Sequence, residues 1–311
     1  MNGEINGVGE NSPRITGLTI RSNSLGMVTT DNATLKAKVK QHWEQETCGI
    51  RYAEAADRKE YFRQISSARY ELEPYIPPFA DFESAVGKSV LEIGVGAGSD
   101  FENWCKYADH ATGIDLTEAG IALTQERLSL NGVPAERYTL RTADAENLPF
   151  EDNSFDIVYT WGVLLCTPDT ERAYREAFRV LKPGGTIRTM VYHVPSWVGL
   201  QLYLLYGLAR GNPRATMKQV MFEHLESPGT KGYTVPEGEQ LLASCGFAQV
   251  KASTKLAVGD FLDIKLSRKY NSPLFKLLRR VYPRWLVRLM GDRYGTNLMM
   301  TAVKPDNSAR S

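Results

Sequence analysis

Short apolar runs separated by amphipathic stretches recur along the chain, and this alternation sets the fold class before any motif is considered. Ser89-Val90-Leu91-Glu92-Ile93 is rich in β-branched residues, and its near-continuous hydrophobicity predicts a strand buried on both faces, as in a parallel sheet. Comparable runs lie at 111–115, 138–142, 155–159 and 186–192, and two more at 247–256 and 297–304. Between them, 99–107 and 116–130 carry helical periodicity. Thr167-Pro168-Asp169 predicts the opening of a helix that runs to Leu181 and is ended by Lys182-Pro183-Gly184-Gly185. Thr234 and Glu237 have capping-box spacing, with the helix behind them running to Cys245 and stopping at Gly246. Strands alternating with helices predict an α/β fold built on a doubly wound sheet.

The flanks read differently. Residues 1–33 are rich in Asn, Gly, Ser and Thr without an apolar period, which predicts a disordered tail. Leu35, Val39, His42 and Trp43 recur at helical spacing. The stretch 46–75 predicts further helices anchored by Tyr61, Phe62, Ile65 and Tyr70 and closed by Pro74, Pro77 and Pro78. Segment 34–84 is therefore a helical leader, placed to act as a lid on whatever the sheet binds. The main domain spans 85–306, with insertions at 194–233 and 257–295 that interrupt the alternation and are expected to form a cap. The first insertion leaves the carboxyl end of a strand, where open α/β sheets hold their ligands. The second is expected to reach that face only if its connection bends back.

Composition narrows the class. The 311 residues fit one domain with insertions, or two domains. A net charge of +1 argues against a dedicated nucleic-acid binder. Cys48, Cys105, Cys166 and Cys245 form no CxxC pair and the histidines are scattered, so neither a disulfide framework nor a metal site is expected and a reducing cytoplasm fits. No signal peptide is visible, and the best apolar run, 198–209, is short for a membrane span and is broken by Gly199 and Gly207.

Candidate chemistry concentrates at 88–115. Gly94, Gly96 and Gly98 follow the first strand directly, so side-chain-free backbone there lets a ligand approach closely. Asp115 ends the second strand, a placement that suits a carboxylate accepting from both hydroxyls of a ribose. Asp144 stands just past the third strand and Trp161 at the mouth of the fourth. Glycines alone decide little, because they also serve turns and dehydrogenases. The dehydrogenase spacing G-x-G-x-x-G is not met, since the residue three past Gly96 is Ser99.

Taken together, VLEIGVGAGSD (90–100), TGIDLTEAGI (112–121), ADAENLPFEDNSFDIVYTWGVLL (143–165) and RVLKPGG (179–185) resemble the class I S-adenosylmethionine-dependent methyltransferases, in the branch with a methyltransferase type 11 domain. The resemblance implies a Rossmann-like seven-stranded sheet with its last strand antiparallel, and S-adenosyl-L-methionine as cofactor. It implies that Gly94, Gly96 and Gly98 pass beside the methionyl part while Glu92 holds its ammonium end. Asp115 would bind the ribose, with Leu116 beside the adenine. Asp144 would accept from the adenine amino group, Ala145 would offer its amide, and Trp161 would wall the methyl. Each has a plainer reading: the glycines as turn formers, Glu92 as a helix cap, Trp161 as packing.

Many members of that branch carry a His-His pair where this chain has Leu165-Cys166. If the acceptor must lose a proton, His193 at the end of the fifth strand, beside Tyr192, is the first base candidate. His224, next to Glu223, is the second. Either also reads as a structural histidine. The stretch 257–294 holds nine basic side chains against three acidic ones. Its part 265–293 reads as a solvated helix face, or as a peripheral contact with an anionic membrane or lipid-like molecule. The expected function is methylation of a small apolar molecule, on oxygen first and on carbon of a prenyl- or quinone-like skeleton second. Nucleic acid is not expected, because no N-P-P-Y-type turn follows the fourth strand. A non-catalytic S-adenosylmethionine-binding partner protein and an NAD-dependent dehydrogenase are the alternatives.

Overall fold

Among the described residues, eight strands form one sheet: β1 Ser89–Ile93, β2 His110–Asp115, β3 Tyr138–Thr142, β4 Phe155–Trp161, β5 Leu181–His193, β6 Gly232–Tyr233, β7 Ala248–Lys255 and β8 Asn297–Val303. The computed structural model describes residues 31–262 and 279–306. Residues 1–30 of the tail expected over 1–33, and the basic residues Lys265, Arg268, Lys269 and Lys276, lie outside the described residues. Strand order is β3-β2-β1-β4-β5-β8-β7, with the two-residue β6 beside β5. All pairings are parallel except those of β8, which runs antiparallel to both β5 and β7.

The alternation of side chains along each strand divides the core into two layers. Leu91, Ile93, Val158 and Ile187 face one layer with Tyr174, Ala177 and Leu242 of the covering helices. Val90, Ala111, Ile157 and Tyr159 face the other with Phe101, Trp104 and Leu128. Those helices are α4 Ser99–Tyr107, α5 Glu118–Leu130, α6 Thr170–Val180 and α9 Val235–Ser244. The capping box of α9 forms as expected between Thr234 and Glu237. In α6 the cap is Asp169, which accepts from the amide of Arg172 at 2.9 Å. The glycines at 184 and 185 do not separate α6 from its strand. Leu181 already pairs with Phe155, and the extra residues are absorbed as a bulge before Ile157.

The leader comprises α1 Asn32–Gln45, α2 Arg58–Leu72 and α3 Ile76–Ala80, so residues 32 and 33 begin a helix. Pro77 and Pro78 open α3 rather than closing the leader, since proline is tolerated in a first helical turn. The first insertion carries α7 Trp197–Leu202, a π-turn at Tyr203–Gly207 and α8 Met217–His224. The described part of the second carries α10 Arg284–Met290. No bending back is needed for this second insertion to reach the ligand face. It leaves the carboxyl end of β7 and returns at the amino end of the reversed β8, where Lys255 pairs with Asn297 and Asn297 with Tyr192. Among the described residues, no helix is long and apolar enough to cross a membrane.

Candidate functional site

Beyond the carboxyl ends of β1, β2, β4 and β5 lies a cavity of about 1270 Å³. The glycine turn forms its floor. Gly94, Gly96 and Gly98 have φ of +85°, +52° and +76°, a region that side-chain-bearing residues rarely adopt. Two of them are also locked by packing: a Cβ on Gly94 would meet Val163 Cγ2 at 2.2 Å, and one on Gly98 would meet Thr124 Oγ1 at 2.9 Å. Gly96 differs. Its nearest neighbour in that direction is Cys48 Cβ at 4.0 Å, so its backbone is bared to the cavity.

Asp115 stabilises the turn. Its Oδ2 accepts from the amide of Gly96 at 3.0 Å, and its Oδ1 accepts from the amide and hydroxyl of Thr117 at 2.9 and 2.7 Å. Leu116, Asp144 and Ala145 line the same side of the cavity. Asp144 Oδ1 accepts from the amide of Glu146 at 2.9 Å, while Lys36 Nζ of α1 donates to Asp144 Oδ2 and Glu146 Oε2, each at 2.6 Å.

Glu92 sits beneath the turn and is buried, and its Oε2 has no hydrogen-bond partner. Burial, reinforced by the Asp100 carboxylate, holds its pKa well above the usual carboxylate range, with Arg69 acting in the opposite direction. Asp100 itself is fully engaged. Arg69 grips it through Nε at 2.9 Å and through Nη2, Tyr159 donates to it at 2.8 Å and Tyr70 at 3.0 Å. A buried carboxyl without a partner, aimed into a cavity beside bared backbone, fits a ligand that brings a cationic donor. Trp161 lines the cavity too, and its Nε1 is likewise buried without a partner.

The remainder of the cavity is largely apolar, walled by Met190, Val198, Leu202, Leu205, Leu225 and Leu262. Polar side chains interrupt it, Glu73, Tyr192, Gln201, Glu226 and Asn297 among them. Tyr192 donates to Glu226 Oε2 at 2.7 Å, and burial next to that carboxylate holds the phenol pKa well above its ordinary value. Asn297 donates to Glu73 Oε1 at 2.7 Å and to the Tyr75 hydroxyl at 2.9 Å, while burial raises the Glu73 pKa.

All nine residues expected to hold a cofactor (Glu92, Gly94, Gly96, Gly98, Asp115, Leu116, Asp144, Ala145 and Trp161) line this one cavity. The two histidines expected as bases do not. His193 is buried against the Gly295 carbonyl at 3.0 Å, and His224 stacks on Tyr206 with ring centroids 3.9 Å apart. Side chains alternate along β5, so the strand that turns Tyr192 to the cavity turns His193 away. Sequence reasoning did not find Lys36, Arg69, Asn297 or Glu226, none of which carries a local spacing signal. Among the described residues, no group of three His, Cys, Asp or Glu side chains is set to hold a metal.

Residues 91–189 match the family described as a methyltransferase domain. Over 101 residues the chain is 44% identical to the phthiotriol/phenolphthiotriol dimycocerosates methyltransferase 1 of Mycobacterium ulcerans, spanning 32% of this chain and 35% of that protein. Phosphoethanolamine N-methyltransferase 2 of Caenorhabditis elegans is 35% identical over 118 residues, spanning 38% of this chain and 26% of that protein. The chain thus spans about a third or less of the length of these curated relatives. Among solved structures, the geranyl diphosphate C-methyltransferase of Streptomyces coelicolor superposes with a TM-score of 0.57 at 13% identity, covering 87% of this chain and 98% of that one. At that identity the likeness is one of fold.

Proposed function

We propose that this chain is a class I S-adenosylmethionine-dependent methyltransferase that transfers the methyl group of S-adenosylmethionine to a hydroxyl of an apolar, lipid-like acceptor. The observation that carries the reading is the continuity of the glycine floor with the apolar chamber. Typical single-ligand pockets hold roughly 300–1,000 Å³. A cavity of about 1270 Å³ has room for a nucleoside cofactor and an acceptor side by side. The relatives named for phthiotriol and phenolphthiotriol dimycocerosates support an acceptor of lipid character.

In this reading the cofactor supplies an electrophilic methyl group on a sulfonium. Glu92, whose Oε2 lacks a partner, receives the ammonium end, and the bared backbone at Gly96 lies along the methionyl chain. Asp115, already fixed by Gly96 and Thr117, presents the remaining acceptor site on its Oδ2 to the ribose, and Asp144 with Ala145 faces the base. The apolar wall excludes water and aligns the acceptor, which is the main demand of an in-line displacement. Tyr192 and Glu226 then take the hydroxyl proton, with Glu226 as the base and Tyr192 orienting it.

A second reading, carbon methylation of a prenyl-like skeleton, is favoured by one observation. Trp161 presents its indole at the cavity wall, backed by Tyr75 and Phe79 with ring centroids 6.1 and 5.7 Å away, and such a face suits positive charge developing on an alkene. Incubation with methyl-labelled S-adenosylmethionine and a fractionated lipid extract tests both. Label in an ether supports the first reading and label on carbon the second. Tight binding of S-adenosylhomocysteine with no labelled product in any fraction would leave only a non-catalytic partner protein.

A further inference from the structure

The helix α10 packs behind one wall of the chamber and presents its other side to solvent. Its inward residues Leu286 and Val287 pack with Trp197, Leu262 and Leu205, and the last two of these also line the cavity. Outward, Trp285 and Leu289 are 67% and 75% exposed and lie four residues apart on one helical face. Val281, also 67% exposed, adds to the patch from just ahead of the helix. Single exposed apolar residues are ordinary on a protein surface, but a clustered set that includes a tryptophan is not.

Charge identifies what the patch meets. Arg280, Arg288 and Arg293, which flank it in sequence, are exposed. The nearby acid, Asp292, is already paired with Lys255 at 2.6 Å. An indole and a leucine flanked by guanidinium groups match a surface that offers apolar depth beneath anionic headgroups. We propose that Val281, Trp285 and Leu289, with their flanking arginines, form a docking surface for an anionic lipid bilayer. The surface would deliver a lipid-like acceptor through the α10 wall into the chamber. Its purpose rests on the reading of a lipid-like acceptor, but its test uses neither cofactor nor acceptor.

The test is co-sedimentation of the full chain with phosphatidylcholine vesicles and with vesicles containing roughly a third phosphatidylglycerol. Binding is expected to the anionic vesicles, to fall with added salt, and to drop at least about fivefold in W285S/L289S and in R280Q/R288Q. Unchanged S-adenosylhomocysteine affinity and thermal midpoint would show that both variants are folded. The inference is overturned if the wild-type chain stays in the supernatant at low salt, or if both folded variants bind as it does. It is also overturned if the chain self-associates through Trp285 and Leu289 without binding vesicles, because the patch then belongs to a second copy. Vesicle binding without turnover on any lipid would leave the docking surface standing and remove the acceptor reading.

Discussion

Lys36 of the first helix reaches Asp144, 108 residues further along the chain, at 2.6 Å, and so ties α1 across the end of the cavity assigned to the adenine. Burial works against the ammonium, but the Asp144 and Glu146 carboxylates hold its pKa above the usual lysine range. Both partners of the Asp144 pair are partly exposed, so screening limits its strength. Lys36→Met is expected to weaken S-adenosylhomocysteine binding by about two- to fivefold, mainly through faster release. Stopped-flow fluorescence would check this, and the difference from wild type should shrink as salt rises.

Glu92 gives a proton-linkage prediction. Its pKa is raised by burial first and then by Asp100, and an arriving ammonium stabilises the carboxylate, so ligand binding favours loss of a proton from this group. Calorimetric titration with S-adenosylhomocysteine, in buffers of differing ionisation enthalpy and at several pH values, is expected to show net proton release on binding. Glu92→Gln should abolish the release and weaken binding roughly tenfold or more. Equal release in both proteins would remove Glu92 from this role.

At the acceptor end, Glu226→Gln should lower turnover roughly 100-fold or more while leaving S-adenosylhomocysteine affinity near wild type, because the group meets the acceptor and not the cofactor. Tyr192→Phe should fall by less, with the lost orientation appearing in kcat. Product that is methylated on carbon and insensitive to Glu226→Gln would favour the aromatic-wall reading.

His193 is expected to matter for stability. Burial lowers its pKa below the ordinary 6.5, with its bond to Gly295 acting in the other direction. The unfolded chain therefore binds the proton more readily, so the histidine's contribution is present above about pH 6.5 and is lost progressively as pH falls through that value. His193→Ala should cost about 2–4 kcal/mol at neutral pH, with the gap to wild type narrowing on acidification. Turnover per folded molecule should be unchanged. Urea denaturation at several pH values, paired with labelled-methyl assays, reads both.

What the sequence made legible at the site was local. The glycines, Asp115 and Asp144 each follow a strand end directly, so strand periodicity alone delivers them to one face. The grip of Arg69 on Asp100, 31 residues apart, and the pairing of Tyr192 with Glu226, 34 apart, depend on how the leader and the insertion fold back. No spacing rule encodes that. His193 lies apart from the cavity for a related reason: residue type suggests a base, while the alternation of β5, fixed by pairing with β8, decides the side on which it lies.

The reversal of β8 has a consequence for how this chain could change its acceptor. Because β7 runs out and β8 runs back, the segment 257–294 begins and ends on the ligand face, at Lys255 and Asn297. The turn at 94–98 and the acids at 115 and 144 lie on other strands, on the far side of β4 and β5 in the sheet order. Under the proposed function, the part of the acceptor wall supplied by Ala257, Val258, Gly259 and Leu262 is therefore written in a length of chain separate from the donor cradle. Exchange of the 257–294 segment would retune which molecule is accepted while the donor cradle keeps its geometry.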